Sequence, residues 1–414
     1  MDPFFDDRPP QLIALERSGH TAVVEGNLLY VWGGYMSVDD NEVFLPNHEL
    51  WVYDLEQGDW QKFHMTGEVP PSMSGSCGCY LNGNMYIFGG CHDNGQYDQL
   101  YRVNLTDGKY NWTHIRHHSG CPPSSRDKLS CWVHKGRIIY FGGYGFKSLE
   151  KVHRGDRSFT VDALSENILW GWNSEIHIFD PRQSSWTQAK TRGQSPAPRA
   201  AHASVMLGNR GYICGGRVKE MRLSDIHCLD LDSWMWSEIV PVSTVPAGRS
   251  WHSLTAVSDS TMFLFGGLSV DGKPLSDGWL FDVETKTWRE VEHPFKDKPR
   301  LWHSACAGKD SDIIVFGGSC DYILLVDTDE GVDDVPDFLV YSRQGHCNDA
   351  LVFQMAPHPL FRICKDYIAK NVSSCEALRQ QLPLLPTKLR AVVDRRTLFY
   401  RPSKEVSHTH TQLL

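Results

Sequence analysis

The sequence predicts an all-β fold built by radial repetition, followed by a short helical segment. Three observations carry this. A double glycine recurs six times, as Gly33-Gly34, Gly89-Gly90, Gly142-Gly143, Gly215-Gly216, Gly266-Gly267 and Gly317-Gly318. Each pair closes an apolar, aromatic-rich run, such as Met85-Tyr86-Ile87-Phe88 or Met262-Phe263-Leu264-Phe265, that reads as a buried strand ending in a tight bend. The self-similarity has a period of roughly 40–55 residues, stretched in the third repeat by a longer loop, and such a period marks a radial array.

Within each repeat the elements keep one order. A turn of the form Arg-x-x-His leads into a first strand at Arg17–His20, Arg199–His202, Arg249–His252 and Arg300–His303. The apolar run and its glycines form a second strand. A third strand carries a small polar residue, an acid and a closing Asp, as in Ser174-Glu175-Ile176-His177-Ile178-Phe179-Asp180 and Ser224-Asp225-Ile226-His227-Cys228-Leu229-Asp230. A fourth opens with Trp60, Trp112, Trp186, Trp236 or Trp288. This succession resembles the kelch repeat, and six copies run from about residue 17 to 355. The resemblance implies a six-bladed kelch β-propeller over residues 11–356, with a helical segment at 357–396. Residues 1–10 and 397–414 are expected to be disordered. The sixth repeat has no fourth-strand Trp. Residues 11–15, Gln-Leu-Ile-Ala-Leu, are therefore expected to supply its outer strand and close the ring.

Composition narrows the function. A chain of 414 residues, 41% of them hydrophobic, can bury a large core. A net charge of −9 gives no global support for nucleic-acid binding. No apolar run is long enough for a membrane span, and a soluble intracellular protein is expected, cytoplasmic first, with the nucleus left open. The 12 cysteines are scattered, several in strand positions such as Cys214 and Cys228, and form no disulfide framework. Cys77-Gly78-Cys79 is too tight for a zinc pair without a second pair elsewhere, so neither metal nor other cofactor is expected. The acidic run Asp327, Asp329, Glu330, Asp333, Asp334 and Asp337 reads as a solvated loop.

Adjacent strands of a blade are antiparallel, so residues at each Arg-x-x-His turn share one face with residues just after each double glycine. On that face lie Lys128, Tyr144, Trp172, Arg217, Arg222, Ser250 and Trp251. Arg17, Arg199, Arg249 and Arg300 recur in register, as do His20, His202, His252 and His303; recurrence assigns them to the blade scaffold, the histidines bonding neighbouring turns. Lys128, Arg217 and Arg222 do not recur. They are either solvated loop cations or a carboxylate receptor, in which Arg grips a carboxylate through paired charged hydrogen bonds and the indoles exclude water.

After residue 357 the pattern turns helical. Leu360, Cys364 and Ile368 fall at four-residue spacing on a helix started by Pro359. Ser373-Ser374-Cys375-Glu376 offers a capping box for a second helix, and Leu385-Pro386 opens a third through Leu389, Val392 and Val393. The first stretch resembles a BC box, the elongin C-binding helix; the second resembles a cullin-2 box.

Taken with the propeller, these features resemble the kelch-domain-containing substrate receptors of cullin-2 RING ubiquitin ligases, across about residues 16 to 395. The resemblance implies a non-catalytic receptor for C-terminal glycine degrons of target proteins. Its partners would be elongin C with elongin B, cullin-2 with its RING subunit, and substrate proteins ending in glycine, with no nucleic acid and no membrane. It assigns the carboxylate to Arg217 and Arg222, with Ser250 and Lys128 as further donors and Tyr144, Trp172 and Trp251 as walls. Elongin C would take Leu360, Cys364 and Ile368; cullin-2 would take Leu385, Pro386, Leu389, Val392 and Val393. Two other classes stay open: a kelch scaffold outside any ligase, and an enzyme on a propeller. For the latter no acid pair, Ser/His/Asp set or copper-binding Tyr/His cluster stands out on the pocket face.

Overall fold

The computed structural model describes residues 12–38, 41–116, 118–152, 157–165, 167–321 and 345–400. The expected disorder at residues 1–10 and 401–414, and the acidic run from Asp327 to Asp337, lie outside these residues. The six repeats form six sheets in a ring, antiparallel except for a short parallel edge strand in the second (Thr66–Gly67) and the fourth (Arg192–Gly193). The fourth, for example, runs Ala203–Leu207, Arg210–Val218, Met221–Asp230 and Met235–Ile239 before that edge strand. First strands of neighbouring blades touch one another around a closed circle, including Thr21–Glu25 against Ser304–Ala307.

The core is divided among the blade interfaces, as the strand period dictates: both faces of each sheet meet a neighbour, so strands are apolar on both sides. Each fourth-strand Trp packs between its own blade and the preceding one. Trp112 joins Trp32 at 5.5 Å, Trp186 joins Phe88 at 5.4 Å, and Trp236 joins Trp132 at 6.3 Å. At the interface of blades 5 and 6 no such Trp exists. Phe295 and His293, from the linker, fill that place against Phe353 at 5.1 and 5.2 Å.

The central channel is tied by a ring of backbone hydrogen bonds. The N–H of Gly75 donates to Gly19 O (2.8 Å), Lys128 to Gly75 (2.9 Å), Ala201 to Lys128 (2.9 Å), Trp251 to Ala201 (2.8 Å), Trp302 to Trp251 (2.9 Å) and Gly19 to Trp302 (3.0 Å). One residue per blade thus hands a bond to the next until the circle shuts. All six hold positive φ, between 52° and 69°. Glycine adopts this freely; Lys128, Ala201, Trp251 and Trp302 do so under the constraint of the ring.

Three expectations are corrected. Residues 12–15 form no strand, and among the described residues blade 6 is a three-stranded sheet of Ser304–Ala307, Asp312–Phe316 and Ala350–Gln354. Closure comes instead from the channel ring, from Arg17 N–H on Cys347 O (3.2 Å) and Gly318 N–H on Arg17 O (2.8 Å), and from Ala14 buried against blades 1 and 6. The double glycine does not always end its strand. In blades 4 and 5 the strands Arg210–Val218 and Thr261–Ser269 pass through it, with a β-bulge there. Gly215 and Gly216, at φ 62° and 100°, re-aim the chain, and a Cβ on Gly216 would sit 2.7 Å from His202. The long third-repeat loop is itself a sheet, in the order Arg126–Asp127, Tyr144–Ser148, Ile168–Asn173, Phe159–Ser165.

Three helices follow: α1 (Leu360–Ser374), α2 (Glu376–Arg379) and α3 (Thr387–Phe399). The capping box does not form, because Ser373 and Ser374 both bond back to Lys370 O and Cys375 caps α2 without a side-chain bond. Arg379 instead satisfies the end of α1 at Val372 O (3.0 Å). Helix α3 passes residue 396 because Arg396 and Thr397 are buried, with Arg396 donating to Asp366 (2.7 Å) and to the carbonyls of Leu55 (3.2 Å) and Glu56 (3.1 Å). Arg362 pairs with Asp310 and Asp312 at 3.1 and 2.7 Å. These contacts fall on turns between first and second, or third and fourth, strands. The helices therefore sit at the end of the propeller opposite the Arg-x-x-His turns. No helix of the described residues is long and apolar enough to cross a membrane.

Candidate functional site

The recurrent cations and imidazoles are scaffold. Arg17, Arg126, Arg199, Arg249 and Arg300 are each at most 4% exposed. Arg199 donates to Gly215 O (2.9 Å) and pairs with Asp225; Arg249 does the same with Gly266 O (2.9 Å) and Asp277. Arg126 extends the set to a fifth repeat, which the sequence pattern alone had left at four. The histidines bond across blade boundaries: His20 to Ser304 (2.8 Å), His202 to Ser130 (2.7 Å), His303 to Ser253 (2.9 Å). At the equivalent position, the first residue of the neighbouring first strand, stands Ala203, which offers His252 no hydroxyl. Burial, and then the field of Arg199, pushes the His202 pKa down to about 3, so the imidazole is neutral in the fold.

The seven singled-out residues do share one rim, and contacts link them in sequence. In every blade the residue before the channel ring pairs with the residue after the double glycine, including Asp127 with Tyr144, Ala200 with Arg217 and Ser250 with Leu268. Tyr144 and Trp172 are cross-strand partners with ring centroids 5.3 Å apart at 67°. Trp172, 5% exposed, packs with Ala200 and Val218. Arg217 and Arg222 stand directly opposite each other across the blade 4 hairpin. Arg222 Nε donates to Ser250 Oγ at 3.0 Å, and Ser250 is fully buried. Beside it Trp251 lies against Trp302 at 5.6 Å, and Lys128 Nζ stands 5.4 Å over the Trp302 ring. Lys128 closes the circuit through Asp127, at 2.6 Å.

The cationic and phenolic donors are already held by the protein. Arg217 reaches outward, donating from Nε to Lys219 O (2.7 Å) with Glu220 at 3.7 Å from Nη2. Tyr144 donates to Asp162 at 2.8 Å; burial first, and then this carboxylate, push its phenol pKa well above the usual value. The Trp251 indole N–H is buried with no acceptor. A cavity of about 160 Å³ opens at the channel mouth, lined by Lys128, Trp251, Trp302, His202 and His252 among others. The two arginines, Ser250, Tyr144 and Trp172 are not part of that lining; they form its flank on blades 3 to 5.

Trp302, Asp127 and Asp162 belong to this rim and were not singled out from the sequence. Trp302 was findable, because Arg300-Leu301-Trp302-His303 stands in register with Arg249-Ser250-Trp251-His252. Asp162 was not, since only the folding of the inserted sheet brings it to Tyr144. Among the described residues no group of three or more His, Cys, Asp or Glu is placed to hold a metal ion.

At the opposite end, α1 exposes Leu360 (74%), Ile368 (40%) and Cys364. Pro386 is exposed, as is Leu389 at 44%, while Leu385 and Val392 are half-buried. Val393 departs from its expected role: it is 4% exposed and belongs to the packing of α3, so it presents no surface to a partner.

Comparison with known proteins accords with this construction. Residues 19–267 match the KLHDC2/KLHL20/DRC7 Kelch-repeats domain, and residues 252–294 match the Kelch motif. Kelch domain-containing protein 1 of Mus musculus is 46% identical over 411 residues, covering 97% of this chain and 96% of the relative. Its Homo sapiens counterpart is 48% identical over 394 residues, 94% of this chain and 92% of the relative. Kelch domain-containing protein 2 of Homo sapiens is 40% identical over 362 residues, 84% and 83% of the two chains.

Proposed function

The chain belongs to the KLHDC2/KLHL20/DRC7 kelch-repeat family, whose domains are generally non-catalytic interaction modules, and on that premise we propose that it is the substrate-recognition subunit of a cullin-2 RING ubiquitin ligase for proteins ending in glycine. One observation carries the reading. Arg217 and Arg222 are directly paired across a hairpin, a like-charge placement that is unfavourable and that an anion reaching both would relieve. The terminal carboxylate of a protein is such an anion, and it meets in Arg222 a guanidinium already oriented by its Nε bond to the buried Ser250 hydroxyl.

In this reading the carboxylate draws Arg217 from Lys219 and Glu220 and shares Lys128 with Asp127. Tyr144, Trp172 and Trp251 wall the last residue closely enough to exclude a side chain, so glycine is selected by clash and by stranded charge. The exposed face of α1 docks elongin C with its elongin B. Leu385, Pro386, Leu389 and Val392 meet cullin-2, which brings the RING subunit. Because the helices lie at the far end of the propeller, substrate and ligase do not compete for one surface, and the contribution to ubiquitin transfer is proximity.

The test is a pull-down with peptides that differ only at the C-terminus. Gly-ended peptides should be retained, and the same peptides amidated or ended in Ala should not. Equal retention of the amide would remove the carboxylate from the mechanism.

A further inference from the structure

The inserted sheet of blade 3 carries a second aromatic pair that neither the core nor the pocket uses. Phe146 and Trp170 are cross-strand partners, centroids 5.2 Å apart at 62°. They repeat, one strand step farther out, the Tyr144–Trp172 pair at 5.3 Å and 67°. Side chains two residues apart point to the same side of a strand, so both pairs share a face. The outer strand adds Thr160 beside Trp172 and Ala163 beside Trp170, with Asp162 in the bulge between them bonded to Tyr144. Trp170 and Phe146 are half-buried and belong to none of the hydrophobic core clusters among the described residues. The result is an aromatic shelf leading from the pocket wall outward.

We propose that this shelf receives an apolar side chain of the bound protein tail, two or three residues upstream of the terminal glycine. The inference rests on the carboxylate-receptor reading. One strand step is about 7 Å, which extended peptide covers in about two residues. A tail whose last residue lies level with Tyr144 and Trp172 therefore places the second or third preceding residue level with Phe146 and Trp170. The outward direction is set by the fold, because the inner direction ends at the channel ring. An aromatic or branched aliphatic side chain there covers two ring faces that are otherwise wet, while an acidic one loses water and faces the Asp162 carboxylate.

The experiment measures Kd for Gly-ended decapeptides with Phe or Ser at each of the third and fourth positions from the end. The parent protein should prefer Phe at one of these positions by about tenfold. Trp170→Thr and Phe146→Ser should abolish that preference while leaving affinity for the Ser peptide unchanged, which also reports an intact fold. If both variants lose all binding, Ala163→Arg, which adds bulk to the exposed shelf without removing packing, should weaken the Phe peptide selectively. No preference in the parent, or a preference untouched by these substitutions, overturns the shelf. If amidation still abolishes binding in that case, the pocket reading survives; if Gly-ended peptides do not bind at all, both fall.

Discussion

Arg222→Ala, combined with amidation of the peptide, isolates the interaction on which the recognition depends. Arg222 is half-buried, bonded to the hydroxyl of a fully buried serine, and opposed by Arg217. A charged hydrogen bond contributes about 1.5–3 kcal/mol, and a two-point contact at a half-wet site about 3 kcal/mol. That corresponds to a roughly 150-fold rise in Kd for a Gly-ended peptide. The fold should hold. The variant loses one bond to Ser250, about 1 kcal/mol, and gains a few tenths by removing the repulsion from Arg217. A melting shift under about 3 °C is expected. Titration calorimetry on four combinations, parent or variant with acid or amide peptide, gives the coupling between the guanidinium and the carboxylate. It should be about 2–3 kcal/mol, since the amide has already lost what the variant removes. Additive effects, with coupling below about 0.5 kcal/mol, would show that Arg222 acts only on the fold and not on the carboxylate.

The other expectations concern stability and docking. Leu360→Arg replaces a side chain 74% exposed, so the melt should move by under about 0.5 kcal/mol while co-purification of elongin C is lost and peptide affinity stays; retained elongin C would reject the assignment of α1. Arg199→Met strands the Gly215 carbonyl and Asp225 in the core and should cost about 3–5 kcal/mol, seen as lost soluble yield or a steep drop in chemical melts; a near-normal melt would contradict the scaffold role. Stability should fall with acid. His202 and His303 titrate near 3 in the fold, against 6.5 in the unfolded chain, because burial and then Arg199 or Arg300 disfavour their charge. The unfolded chain takes up protons first, so their contribution is whole above about pH 6.5 and drains towards about pH 3, each losing ~2 kcal/mol by about pH 5. Urea melts at the two ends of that window check it, and a flat profile would mean that these imidazoles are solvated.

Much of this architecture is written locally. A double glycine after an apolar run, an acid in the third strand and a Trp in the fourth are short-range signals, and each repeats often enough to be read without knowing any contact. The face shared by Lys128, Tyr144, Trp172, Arg217, Arg222, Ser250 and Trp251 follows from antiparallel strand order alone, and the register pairs Tyr144 with Trp172, Arg217 with Arg222 and Ser250 with Leu268. The recurrent arginines and histidines declare themselves as scaffold because each stands in register in four of the six repeats.

Tertiary structure decided what depends on contacts between distant segments. Residues 11–15 look like a strand, but whether a strand pairs depends on a free edge arriving beside it, and the ring closes through backbone bonds at the channel instead. Asp162 reaches Tyr144 only because the inserted segment folds back as a sheet. Val393 fits the apolar pattern of a docking surface, yet α3 turns it inward, since a period of 3.6 says which side chains share a face but not what that face meets. Periodicity is a property of the chain; burial is a property of what packs against it.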